Sequence, residues 1–103
     1  MGTQMEWLFP WQAAHDESNG VDELYPEVSV GHPLYGTEVR SIAYREDCDY
    51  ALFALEDGTS RVVVVHLTFQ PGSNPNWPRT TFFDSLEAFA STRMVLDHEN
   101  WIR

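Results

Sequence analysis

Four places in this chain carry side chains suited to chemistry: His66, the Asp97-His98-Glu99 triplet, the Glu46-Asp47-Cys48-Asp49 run and Trp77. His66 interrupts an apolar stretch, where an imidazole could serve as a general base or a metal ligand. No second catalytic residue stands at a diagnostic spacing from it, so His66 is a pocket candidate and nothing more specific. The plainer expectation is a half-buried ring bonded to a backbone carbonyl or a loop side chain. Asp97, His98 and Glu99 are consecutive, and three neighbours on a regular element cannot converge on one ion. His-x3-His, Cys-x2-Cys and His-Glu-x-x-His spacings are all absent.

Glu46, Asp47 and Asp49 gather three carboxylates without the Asp-x-Asp-x-Asp-Gly loop of an EF-hand. The negative field around Cys48 should raise its thiol pKa, the wrong direction for a nucleophile. Trp77, between Pro75 and Pro78, is either an interface anchor on a stiff loop or a lid folded back on the core. Trp7 and Trp11 pose the same question. There is no Gly-rich phosphate loop, nucleophile elbow or dinucleotide fingerprint. The sequence therefore assigns no catalytic residue, no cofactor and no metal.

Charge says more than the motifs. Sixteen acidic residues face six basic ones, all arginine, for a net charge of −10. Such a surface repels the phosphates of nucleic acids and of anionic membranes, and it attracts a basic protein and speeds the encounter. Solubility alone is a competing explanation for the same acidity. No apolar run reaches the length of a membrane span. The start, Met1-Gly2-Thr3-Gln4-Met5-Glu6, lacks a basic n-region. With a single cysteine, Cys48, no internal disulfide can form. A soluble, cytoplasmic protein is the expectation.

The elements that would position these groups are sharpest after residue 37. At 103 residues and 43% hydrophobic content the chain predicts one packed domain without disulfide or metal support. Residues 1–37 form an irregular segment in which Val21–Leu24 could make one helical turn before Pro26. A β-meander is expected over 38–83, with strands at Val39–Arg45, Tyr50–Glu56 and Arg61–Gln70 and a short fourth at Thr80–Phe83. Four consecutive valines, Val62–Val65, cannot alternate between core and solvent, so this strand must be covered on both faces. Asp57-Gly58 reads as a two-residue hairpin turn, which pairs Phe53 with Val62 and Ala51 with Val64. Pro71–Pro78 is a loop. Asp84, with Glu87 three residues on, predicts an N-cap for a helix over 84–96, followed by a polar tail over 97–103. The fold class is α+β, an antiparallel meander of three to four strands with the C-terminal helix packed on one face. The other face is covered by the N-terminal segment or by a partner.

His32-Pro33-Leu34-Tyr35-Gly36, Asp49-Tyr50-Ala51-Leu52-Phe53, Asp57-Gly58 and Val64-Val65-His66-Leu67-Thr68-Phe69 carry a resemblance, reinforced by Trp77-Pro78, Asp84-Ser85 and Met94-x-x-Asp97-His98. Over residues 30–101 the chain resembles a family of small uncharacterised bacterial proteins. The resemblance implies a bacterial cytosolic protein and supplies no catalytic residues. Likeness to immunity proteins is one of general character only.

The expected function is a non-enzymatic acidic binding module for a basic protein partner, as an immunity protein or small inhibitor would be. Glu46, Asp47, Asp49, Glu56 and Asp57 would steer the encounter, and Trp77 or Trp11 would make the tight contacts. The alternative is a small enzyme or ligand-binding domain with a pocket lined by His66. A third possibility is a homodimer that buries a face made by Leu52, Val63 and Val65.

Overall fold

The computed structural model describes residues 6–18, 20–45, 47–72 and 74–102. Five strands form one antiparallel sheet in sequence order: β1 (Trp11–Ala13), β2 (Val39–Arg45), β3 (Tyr50–Leu55), β4 (Val62–His66) and β5 (Thr80–Phe83). The chain is α+β, with one strand more than the sequence pattern predicts. The added strand is β1, which lies on the edge with Trp11 opposite Arg45 and Ala13 opposite Ala43. Three residues behind Pro10 are too few to show a period of two, so nothing in the pattern announces it.

The β3–β4 register differs by one residue from the expected hairpin. Phe53 lies opposite Val63 and Ala51 opposite Val65. The connection is a five-residue loop over 56–60, closed where the Leu55 N–H donates to the Arg61 carbonyl at 3.2 Å. Asp57 accounts for this length. Its Oδ1 accepts the Thr59 N–H at 3.0 Å and the Thr59 hydroxyl at 2.6 Å, while Gly58 takes the left-handed φ of 84°. That side-chain-supported turn replaces the two-residue type.

A slip of one residue exchanges the faces of a strand. Val63 and Val65 consequently join Ala51, Phe53 and Leu55 on one face, and Val62 and Val64 join Leu52 and Ala54 on the other. On β2, a bulge between Ser41 and Ala43 shifts the register, with Ser41 opposite Phe53 and Ala43 opposite Leu52.

Both faces are covered from within the chain. Val21 and Leu24 of α1 (Val21–Glu27), with Leu34 from the following turn, cover the Phe53 side. Trp11, Phe89 and Met94 cover the Leu52 side, with Trp11 edge-on to Phe89 at 5.1 Å. Leu52, Val63 and Val65 are each 0% exposed, and Leu52 points away from the two valines. The homodimer face expected of these three residues therefore does not exist. Each fully buried side chain of this size contributes about 1.5–3 kcal/mol.

The C-terminal helix starts one residue later than expected and runs further. Ser85 is its N-cap, with Oγ accepting the Ala88 N–H at 3.1 Å. Three consecutive pieces follow: α2 (Leu86–Phe89), a π-helical turn (Ala90–Met94) and α3 (Val95–Trp101). In a pure α-helix Phe89 and Met94 would point about 140° apart. The wider π turn brings both onto the sheet, where both are buried. It also carries the helix through Asp97-His98-Glu99-Asn100, residues whose polarity reads as a tail.

Candidate functional site

His66 projects from β4 opposite Tyr50, and the two rings stack with centroids 4.6 Å apart. The guanidinium groups of Arg93 and Arg45 lie 5.0 and 5.7 Å from the Tyr50 ring centroid. Both arginines reach Asp97, a carboxylate only 9% exposed. Asp97 Oδ2 accepts the Trp11 Nε1–H at 2.9 Å and the Arg93 Nε–H at 2.9 Å, with Arg45 Nη1 at 3.6 Å. This network ties β1 to the C-terminal helix and gives the buried indole its hydrogen-bond partner. His66 thus ends a stacked column, and it does not line the groove beside Tyr50 that Tyr44, Ala51 and Leu67 help to form.

His98 turns the other way from Asp97. Its Nδ1–H donates to the Phe9 carbonyl at 2.6 Å, beside the Phe9–Trp101 ring contact at 5.2 Å. Buried His32 has a fixed tautomer: Nδ1 accepts the Leu34 N–H at 3.0 Å, so Nε2–H donates to the Pro78 carbonyl at 2.8 Å. That bond fastens the proline-rich loop to the 31–36 turn. Among the described residues no three His, Cys, Asp or Glu side chains converge as a metal site.

The acids expected to act together are divided between opposite ends of the sheet. Asp47 and Asp49 follow β2, whereas Glu56 and Asp57 follow β3, and the six residues of β3 put about 20 Å between the two turns. Glu46 lies outside the described residues. Arg45 grips Asp47 with two bonds of 2.9 and 2.7 Å. Arg40 meets Glu56 at 3.0 Å, and Arg61 meets Asp57 at 3.2 Å. The Arg45 hydrogen bond holds the Asp47 carboxyl below its usual pKa. Hydrogen bonds from Thr59 do the same first for Asp57, with Arg61 adding to them. The Cys48 thiol is pushed up, chiefly by partial burial rather than by the neighbouring acids, with Arg45 working against the shift.

Trp11 is 0% exposed and cannot meet a partner. Its expected role as an interface aromatic is overturned, because the network around Asp97 holds its indole inside. Trp77 is 41% exposed, with the Arg79 guanidinium 4.7 Å from its ring centroid. It remains available at the surface.

Sequence reasoning missed a second buried carboxylate. Glu27 follows Val21 and Leu24 at helical spacing, which places it inward on α1 at 2% exposure. Its Oε1 accepts the Thr68 N–H at 2.8 Å and the Thr68 hydroxyl at 3.0 Å, and its Oε2 accepts the Phe69 N–H at 2.7 Å. Gly72 lies so close that an added Cβ would be 2.0 Å from the Glu27 carbonyl oxygen. Phe69, held by this clamp, has a left-handed φ of 59° and is 54% exposed. The Val21–Leu24–Glu27 spacing was the available signal for Glu27. Nothing in the sequence marks Phe69.

Phe69 stands at a surface groove of about 660 Å³ between the β2–β3 turn and the start of α1. Tyr44, Tyr50, Ala51 and Leu67 line it together with the acids Glu23, Asp47 and Asp49. Comparison with family models, curated proteins and solved structures found no match for this chain. Among the described residues, no helix is long and apolar enough to cross a membrane.

Proposed function

We propose that this chain is a non-enzymatic binding module whose acidic surface docks a basic protein, in the manner of an immunity protein or small inhibitor. The observation that carries this reading is the fate of its arginines. Arg40, Arg45, Arg61 and Arg93 are each spent on carboxylates of the same chain. Arg79 lies over Trp77. With the described cations engaged internally and a net charge of −10, acids such as Glu23, Asp49, Glu87 and Glu99 face solvent with their charge uncompensated. Such a field raises the encounter rate with a basic partner and weakens as salt rises.

Asp47 and Asp49 at one end of the sheet, Glu56 and Asp57 at the other, and the exposed Trp77 are the contact candidates. The test is capture from a lysate of the source organism at low salt, followed by elution with a salt gradient and identification of the eluate. Basic proteins released as salt rises are the expected result. A set of neutral or acidic proteins, or retention indifferent to salt, contradicts the reading.

A further inference from the structure

The groove beside Phe69 joins three features in one place. It has an apolar floor in Ala51 and Leu67, aromatic walls in Tyr44, Tyr50 and Phe69, and an acidic rim in Glu23 and Asp49. Among the described residues neither of these two carboxylates is in an ion pair, whereas the Asp47 charge is offset by Arg45. Phe69 is also costly to place there. A bulky residue at φ 59° is held by a carboxylate buried to 2% exposure, and its ring is left more than half in water. An exposed ring fixed by a rigid support is the arrangement a binding anchor needs.

The geometry points to this groove as the seat of an arginine from the basic partner, its guanidinium stacked on Phe69 or Tyr44 and paired with Glu23 and Asp49. The proposal rests on the reading of the chain as a binder of a basic protein, and it names where that partner's key side chain goes. A guanidinium fits better than an ammonium because its plane stacks on a ring while its edge donates to carboxylates. The chain uses the same chemistry internally, with Arg93 over Tyr50 and bonded to Asp97.

Argininamide is the probe, titrated into the full chain at low salt and followed by amide chemical shifts, with citrullinamide as its uncharged counterpart. Shifts should concentrate at Gly20, Asp49, Tyr50 and Phe69, and citrullinamide should leave them nearly unmoved. Glu23→Gln with Asp49→Asn should weaken argininamide at least about five-fold, while the charge-matched pair Glu87→Gln with Glu99→Gln should change it less than two-fold. Phe69→Asn keeps a residue that tolerates the left-handed backbone and removes the ring, so it should also weaken binding about five-fold. Shifts spread evenly over the acidic surface, equal losses in both charge-matched pairs, or no binding would each overturn the groove as the seat. The reading of a basic partner would survive those outcomes, since it falls when the captured proteins are neutral or acidic or their retention is indifferent to salt.

Discussion

The Glu27 carboxylate lies 2.7 Å from the Phe69 backbone nitrogen and takes two further donors from Thr68, so one buried acid fixes the chain as it leaves β4. Removing the acid deprives three part-buried donors of a charged acceptor, and such charge-assisted bonds are stronger than ordinary ones. Glu27→Ala should lower unfolding stability by about 2–4 kcal/mol. Glu27→Gln should lie between it and the parent, because an amide accepts through only one of its two ends. Urea denaturation checks both, and a loss below about 0.5 kcal/mol for Glu27→Ala would remove the clamp from the account.

Trp11 and Asp97 form the second such joint, 86 residues apart in the chain. Trp11→Phe keeps most of the apolar contact with Phe89 and deletes the indole N–H, so it should cost about 1–3 kcal/mol. Asp97→Asn should cost a similar amount, discounted because Arg93 and Arg45 are partly solvated. The two losses should be strongly non-additive in a double-mutant cycle. Additive losses would mean that the bond contributes little.

Acid should expose the contribution of Asp47. Its folded pKa is lowered from 3.8 by the Arg45 hydrogen bond, so the stabilisation is present above the unfolded value and fades as pH falls through the folded one. The stability difference between the parent and Asp47→Asn should therefore be largest near neutral pH and shrink below about pH 4. Denaturation midpoints across that range test it. A difference that grows on acidification has the wrong sign.

Cys48 should be a sluggish thiol. Partial burial raises its pKa from 9.0, which lowers the thiolate fraction at neutral pH. Alkylation by iodoacetamide at about pH 7 should run slower than for free cysteine and accelerate steeply with pH. A rate equal to or above that of free cysteine contradicts the assignment.

Much of the architecture is legible in the residues because it depends on local pattern. The run Val62–Val65 announces a strand covered on both sides, and the strands at Val39–Arg45 and Thr80–Phe83 have the bounds their patterns suggest. The missing pieces depend on what residues do at a distance. Asp57-Gly58 has the composition of a two-residue turn, and only the Asp57–Thr59 bonds reveal a longer loop and hence the opposite faces of Val62 and Val63. Asp97 reads as solvated tail until the π turn rotates it onto Trp11. At the candidate site, the proline-rich loop leaves open whether Trp77 lids the core or faces out, and it is 41% exposed, whereas Trp11 is hidden by a partner 86 residues away. Phe69 could not be found from sequence because its exposure and backbone conformation depend on Glu27 across the molecule.

The uncompensated charge is most directly tested by the rate at which the captured partner associates with this chain as ionic strength is raised from about 20 to about 500 mM. The account predicts an association rate that falls at least about ten-fold over that range, with a much smaller change in dissociation. An association rate that stays constant, or rises, as salt screens the surface would contradict it.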